Sequence, residues 1–165
     1  GLPNNKTTVD ALPALSTAKA KKVFSSFGVL SERELEARAE INWERYVKVQ
    51  NIEANLALDI ARTMIVPAVA RHLALIGGAT GSKGLAAAAK EVVGLADTLV
   101  TRIDALDKAQ KAAHKASSVH AEAKVYKDKV IPAQNALREV VDELETLVAD
   151  DLWPMPKYRE LLFQY

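Results

Sequence analysis

The sequence predicts an all-α fold: an antiparallel bundle of three long helices, with short N-terminal helices before it and an extended aromatic C-terminal tail after it. Three observations predict this. The 165 residues are 49% hydrophobic but only 5% aromatic, so alanine and the aliphatic residues must build the core, a composition that favours helices. Apolar residues recur at steps of three and four over long stretches, with no strand-like alternation. Turn-forming clusters near 77–84 and 116–119 divide those stretches into three. The length suits one domain with ordered arms, read as a lead-in over 1–30, a bundle over 31–150 and a docking tail over 151–165.

Thr7, Thr8 and Asp10 supply capping oxygens ahead of Val9, Ala11, Leu12 and Leu15, which predicts a first short helix. A second covers 16–27, with Lys19, Lys21 and Lys22 outward and Ala20, Val23, Phe24 and Phe27 inward, and stops at Gly28. Ser31-Glu-Arg-Glu34 has the pattern of a capping box and opens a helix running to about Ile76. That helix is roughly 65 Å long at about 1.5 Å per residue. Val49, Ile52, Leu56, Ile60 and Met64 mark one of its faces, and Pro67 should kink it. After the Gly77-Gly-Ala-Thr-Gly-Ser-Lys-Gly84 reversal, Leu85, Ala88, Val92, Leu95, Leu99, Ile103, Leu106 and Ala113 mark a second long helix. Beyond Ala116-Ser-Ser-Val119, the row Ala123, Tyr126, Val130, Ala133, Leu137, Val140, Leu144 and Leu147 marks a third, bent at Pro132.

Composition excludes several functions. The 22 basic and 21 acidic residues cancel to +1, which argues against nucleic-acid binding by bulk charge. The absence of cysteine removes disulfides, thiolate chemistry and zinc–sulfur sites, and fits a reducing cytoplasm. No run approaches eighteen consecutive apolar residues, so no membrane partner is expected. The N-terminus lacks signal-peptide grammar, and it starts on Gly1 rather than Met, which reads as a piece of something longer.

Candidate chemistry is sparse. The glycine-rich reversal is no P-loop, because Ser82 separates Gly81 from Lys83 and a helix precedes it. His114 and His120 are six apart and cannot share a helix face as metal ligands, and all three histidines, His72 included, read as helix-surface residues. Glu53 and Asp59 read as ion-pair partners between helices. Lysines and arginines are in excess over 101–129 and carboxylates over 138–160, a distribution able to meet complementary surfaces. No glycine-flanked serine suggests a nucleophile. These residues assemble no catalytic, cofactor or metal site.

The tail departs from the rest of the chain. Asp150 to Tyr165 holds Trp153, Tyr158, Phe163 and Tyr165, four of nine aromatics, and its prolines forbid a continuous helix. An aromatic segment gains free energy only when buried, so Trp153, Pro154, Pro156, Tyr158, Leu162 and Phe163 are the candidate docking residues.

Leu152-Trp-Pro-Met-Pro156 and Tyr158-Arg-Glu-Leu-Leu-Phe163 resemble the end of type III glutamine synthetases. Other blocks resemble that family in order: Thr7-Thr-Val-Asp-Ala-Leu-Pro-Ala-Leu15, Phe27-Gly-Val29 with Ser31-Glu-Arg-Glu-Leu35, Tyr46-Val-Lys48, Asn51-Ile-Glu-Ala54, Ile65-Val-Pro-Ala-Val69, Lys129-Val-Ile-Pro-Ala133 and Val141-Asp-Glu-Leu-Glu145. Lys157 departs from the small hydroxyl residue expected of the family. The resemblance implies a parent ligase making glutamine from glutamate and ammonia with ATP and Mg or Mn, through a γ-glutamyl phosphate. The family's catalytic residues would lie upstream, so none is carried onto this chain. Residues 1–30 would then be the end of the catalytic region and a linker. The partners implied are the chain's own upstream catalytic domain and neighbouring subunits of a homo-oligomer, and the setting is cytoplasmic. The competing readings are a free-standing helical adaptor for a protein partner and an autonomous small-molecule enzyme.

Overall fold

The computed structural model describes residues 3–78 and 81–162. The elements, in order, are α1 (Thr8–Ala11), a 3-10 turn (Leu12–Ser16), α2 (Ala18–Ser26), α3 (Glu32–Ile60), α4 (Val66–Gly77), α5 (Lys83–Ala113), α6 (Val119–Val125), α7 (Ile131–Leu147) and α8 (Tyr158–Leu161). A single π-turn, Ala61–Ile65, joins α3 to α4, and another, Tyr126–Val130, joins α6 to α7. There are therefore three long rods, as the hydrophobic periods require, and the described residues contain no strand.

Local chemistry sets the ends. Thr7, Thr17, Ser82 and Ser118 each cap a helix, accepting from the backbone N–H three residues on. Ser31 accepts from the Glu34 N–H at 3.3 Å while the Glu34 carboxylate accepts from the Ser31 N–H at 2.8 Å, a cap of a kind that contributes about 1 kcal/mol. α2 ends where Gly28 takes φ +62°. That conformation lets the Val29 N–H reach the Phe24 carbonyl and the Gly28 N–H reach the Ser25 carbonyl, which satisfies two of the helix's last acceptors.

A π-turn stands directly before each of the two prolines at which the sequence predicts a bend. The Val66 N–H donates to the Ala61 carbonyl and the Ile131 N–H to the Tyr126 carbonyl, each five residues back. Pro67 and Pro132 follow one residue later, in the first turn of α4 and of α7. The widened turn gives the ring room and leaves no standard hydrogen bond to lose.

One continuous core runs from Leu12 in the lead-in through Trp43, Leu58, Leu99, Leu106, Tyr126 and Leu144 to Trp153 in the tail, while α2 and α8 contribute no buried residue. Alanine lets the rods approach closely: Ala54, Ala68, Ala113 and Ala123 are completely buried. The helix Glu32–Gly77 contains a window long and apolar enough by composition to cross a membrane. Its Ile65, Ala68 and Val69 are buried in the bundle.

The apolar row marked on the first long helix lies mostly outward, and an inward assignment on α2 is corrected. The bundle-facing row of α3 is Leu35, Ala39, Trp43, Val47, Ala54 and Leu58, whereas Val49, Ile52 and Leu56 point outward at 41, 65 and 55% exposure. The helix has two apolar stripes, and the one containing small alanines admits neighbouring rods. On α2, Phe27 and Val23 are exposed, because α2 is short and the Gly28 turn carries Phe27 off the core.

The alanine seam makes a prediction. Ala123→Leu should lower stability by about 1–3 kcal/mol through overpacking, read as a lower denaturant midpoint with unchanged slope. An unchanged midpoint would show that the seam has spare room.

Candidate functional site

Two polar constructions and one groove are the candidates. The first construction runs from the buried Tyr126 and Gln110 to Asn55 and His114 at the bundle's surface. Tyr126, fully buried at the π-turn, donates from its hydroxyl to Asn51 Oδ1 at 3.2 Å. Gln110 Nε2 on α5 donates to the same oxygen at 3.0 Å and to Asn55 Oδ1 at 2.9 Å. Asn55 Nδ2 lies 3.2 Å and His114 Nε2 2.9 Å from Asn51 Oδ1. Four donors surround an oxygen with two lone pairs, so they share it. Burial pushes the Tyr126 phenol up to about 12, with Glu122 adding to the effect.

This knot ties three rods together, and the helical wheel of any single rod gives no sign of it. Asn51 on the first rod, Gln110 and His114 one turn apart on the second, and Tyr126 on the third meet only through packing. Of the other histidines, His120 lies beside Glu40 at 3.1 Å with its ring 4.8 Å from Trp43. His72 is not a surface residue: it is buried on α4, its Nδ1 accepting from the Ala149 N–H at 3.4 Å. Glu53 and Asp59 form no ion pairs among the described residues; Glu53 instead accepts from the Gln50 amide at 3.1 Å.

The second construction is the tail. Trp153 is buried in the common core, and Pro154 is half-buried beside it. Pro156, Tyr158 and Leu162 are exposed, and Phe163 lies outside the described residues. The tail is extended only in part, since Tyr158–Leu161 forms one turn of helix, its first N–H bound by Glu145 at 2.9 Å. The Tyr158 hydroxyl accepts from Arg138 at 2.6 Å and donates to Asp142 at 3.3 Å.

Lys157 is the residue the sequence undervalued. Its side chain is almost buried, and Nζ donates to the Val148 carbonyl at 3.1 Å and meets Asp150 Oδ1 at 2.7 Å. A cation on the last carbonyls of α7 suits the helix dipole and fills an acceptor that the helix leaves open. Arg159 also binds Asp150. Lys157, then Arg159, hold the Asp150 carboxyl below the ordinary carboxylate range.

Between the end of α3, its π-turn, α7 and the tail lies a groove of about 390 Å³, lined by Ile60, Ala61, Ile65, Leu137, Trp153 and Met155 among others. The buried Trp153 indole N–H has no hydrogen-bond partner among the described residues. No three candidate metal ligands cluster among the described residues.

Fold and tail together define a helical bundle closed by Trp153 and Lys157 of its tail. Residues 1–80 match the model of the glutamine synthetase C-terminal domain family. The chain is 34% identical to the type-3 glutamine synthetase of Dictyostelium discoideum and 29% identical to a glutamine synthetase of Bacteroides fragilis, in each case across 99% of this chain and 24% of the relative. The chain is therefore similar to the C-terminal domain of glutamine synthetases over residues 1–80 and, over 99% of its length, to part of a type-3 glutamine synthetase. It spans about a quarter of the length of these curated relatives.

Two pH effects follow. Because the fold raises the Tyr126 pKa from 10.0 to about 12, its contribution is complete below pH 10 and is lost as pH rises towards 12. Tyr126→Phe should remove that alkaline loss while lowering neutral stability by about 1 kcal/mol, as read in melts at several pH values. Asp150 behaves oppositely: its pKa is lowered, so its contribution is complete above the ordinary value of 3.8 and is lost as pH falls through the folded value. In a Trp43→Phe background, Trp153 fluorescence should shift red on acidification before helicity falls, and Asp150→Asn should produce that shift at neutral pH.

Proposed function

We propose that this chain is a non-catalytic brace of a larger glutamine synthetase, cytoplasmic and homo-oligomeric, and that its tail is the fastening. The parent would make glutamine from glutamate, ammonia and ATP, with Mg or Mn, in a catalytic region preceding this one. Such chemistry needs carboxylates on metal and cations on phosphate, which on this reading belong to that region. The bundle's part is mechanical. Three rods sharing one core form a stiff body, and the lead-in, whose Leu12 enters that core, would transmit its position to whatever precedes it.

The observation that carries this reading is the tail's attachment to its own bundle. Trp153 in the core and Lys157 on the end of α7 close the domain in cis, leaving Tyr158, Leu161 and Leu162 at the surface as contacts for the parent's other parts. A tail spent on internal closure suits a structural element.

The experiment is deletion of residues 150–165 from the parent enzyme, followed by sedimentation and thermal melting. Loss of the full assembly and a melting temperature at least about 5 °C lower are expected. Unchanged sedimentation and melting would end the bracing role.

A further inference from the structure

The outer stripe of α3 is left uncovered by the bundle. Ile41, Val49, Ile52 and Leu56 are 62, 41, 65 and 55% exposed, and helical spacing sets them in one row with Arg45, Lys48 and Asp59. A row of large aliphatics this exposed on a stiff rod marks an interaction surface more than a solvated face. Among the described residues neither Arg45 nor Asp59 has an ion-pair partner.

The order of charges along the row identifies the occupant. Arg45 and Lys48 precede Ile52, Asp59 follows it, and Arg45 and Asp59 each stand seven residues from Ile52, about 10 Å along the axis at about 1.5 Å per residue. A row that is basic on one side of its centre and acidic at the matching distance on the other is complementary to itself reversed. We propose that this face is an isologous contact in which α3 of a second copy lies antiparallel across it, about a two-fold axis at Ile52. Ile52 then meets Ile52, Val49 packs beside Leu56 of the second copy, and each Arg45 reaches Asp59 of the other helix. Lys48 is already paired with Glu44 of its own helix at 3.7 Å, but a parallel arrangement would set Arg45 on Arg45 and Asp59 on Asp59, so electrostatics selects the antiparallel one. Few side chains take part, which puts the contact at the small end of specific interfaces. It is weak between free chains and strong where subunits are already held near one another. The contact takes its purpose, though not its geometry, from the assembly reading above.

The test is sedimentation equilibrium of the 165-residue chain over about 10 μM to 1 mM, the range suited to a small interface, with helicity checked for each variant. A monomer–dimer equilibrium is expected for the unaltered chain. Arg45→Asp and Asp59→Arg should each weaken it about tenfold by placing like charges together, and Ile52→Lys should abolish it. An equimolar mixture of the Arg45→Asp and Asp59→Arg chains should recover dimers, because one copy then presents two acidic groups and the other two basic ones. A chain monomeric throughout, dimers indifferent to these substitutions, or a mixture no tighter than its components would overturn the proposal. Such a failure would leave the tail deletion, made in the parent enzyme, to stand or fall by itself.

Discussion

The buried hydroxyl of Tyr126 is the constraint on which the bundle's arrangement depends. In a core poor in aromatics it is the largest completely buried side chain, and its ring fills the space that small alanines leave between rods. A hydroxyl at that depth must be hydrogen-bonded or cost about 1–3 kcal/mol. Satisfying it brings Asn51, Gln110 and His114 to one point. Aliphatic packing alone tolerates rotation and sliding of one helix against another. A shared acceptor does not, since each donor reaches it in one register only. The knot therefore fixes which faces of the rods meet.

The two π-turns belong to the same arrangement. Tyr126 opens one of them, and each is followed at the same distance by a proline. A proline within a regular helix would force a kink of arbitrary consequence for packing. Placed after a widened turn, it instead fixes where the rod changes phase. The inner row of residues is thus handed correctly from α3 to α4 and from α6 to α7. That adjustment also explains why α3 can have two apolar stripes: one follows the phase into the core, and the other stays on the outside.

The tail closes the bundle with apolar and ionic contacts of different character. Trp153 contributes buried area, and Trp→Ala at such a site typically costs about 3–5 kcal/mol. Lys157 contributes direction by binding a helix-end carbonyl and Asp150 together. The ion pairs at this end form within the acid-rich 138–160 segment itself, Arg138 with Asp142 and Arg159 with Asp150.

Much of the fold was legible because it depends on local rules. The capping box at Ser31, the stop at Gly28, the reversals near 77–84 and 116–119 and the seam of the third rod each follow from neighbouring residues. The family resemblance was legible in ordered blocks of sequence for the same reason. The candidate site was much less so. A lysine reads as surface until a helix end lies over it, and His72 reads as surface until Ala149 arrives. Val49, Ile52 and Leu56 read as a helix face, yet periodicity does not say which of two apolar stripes will be buried. The sequence by itself determined where the helices begin and end, because hydrogen-bonding side chains act within one turn. Only the tertiary structure decided which faces meet, because that choice rests on the size of residues and the pairing of donors far apart in the chain.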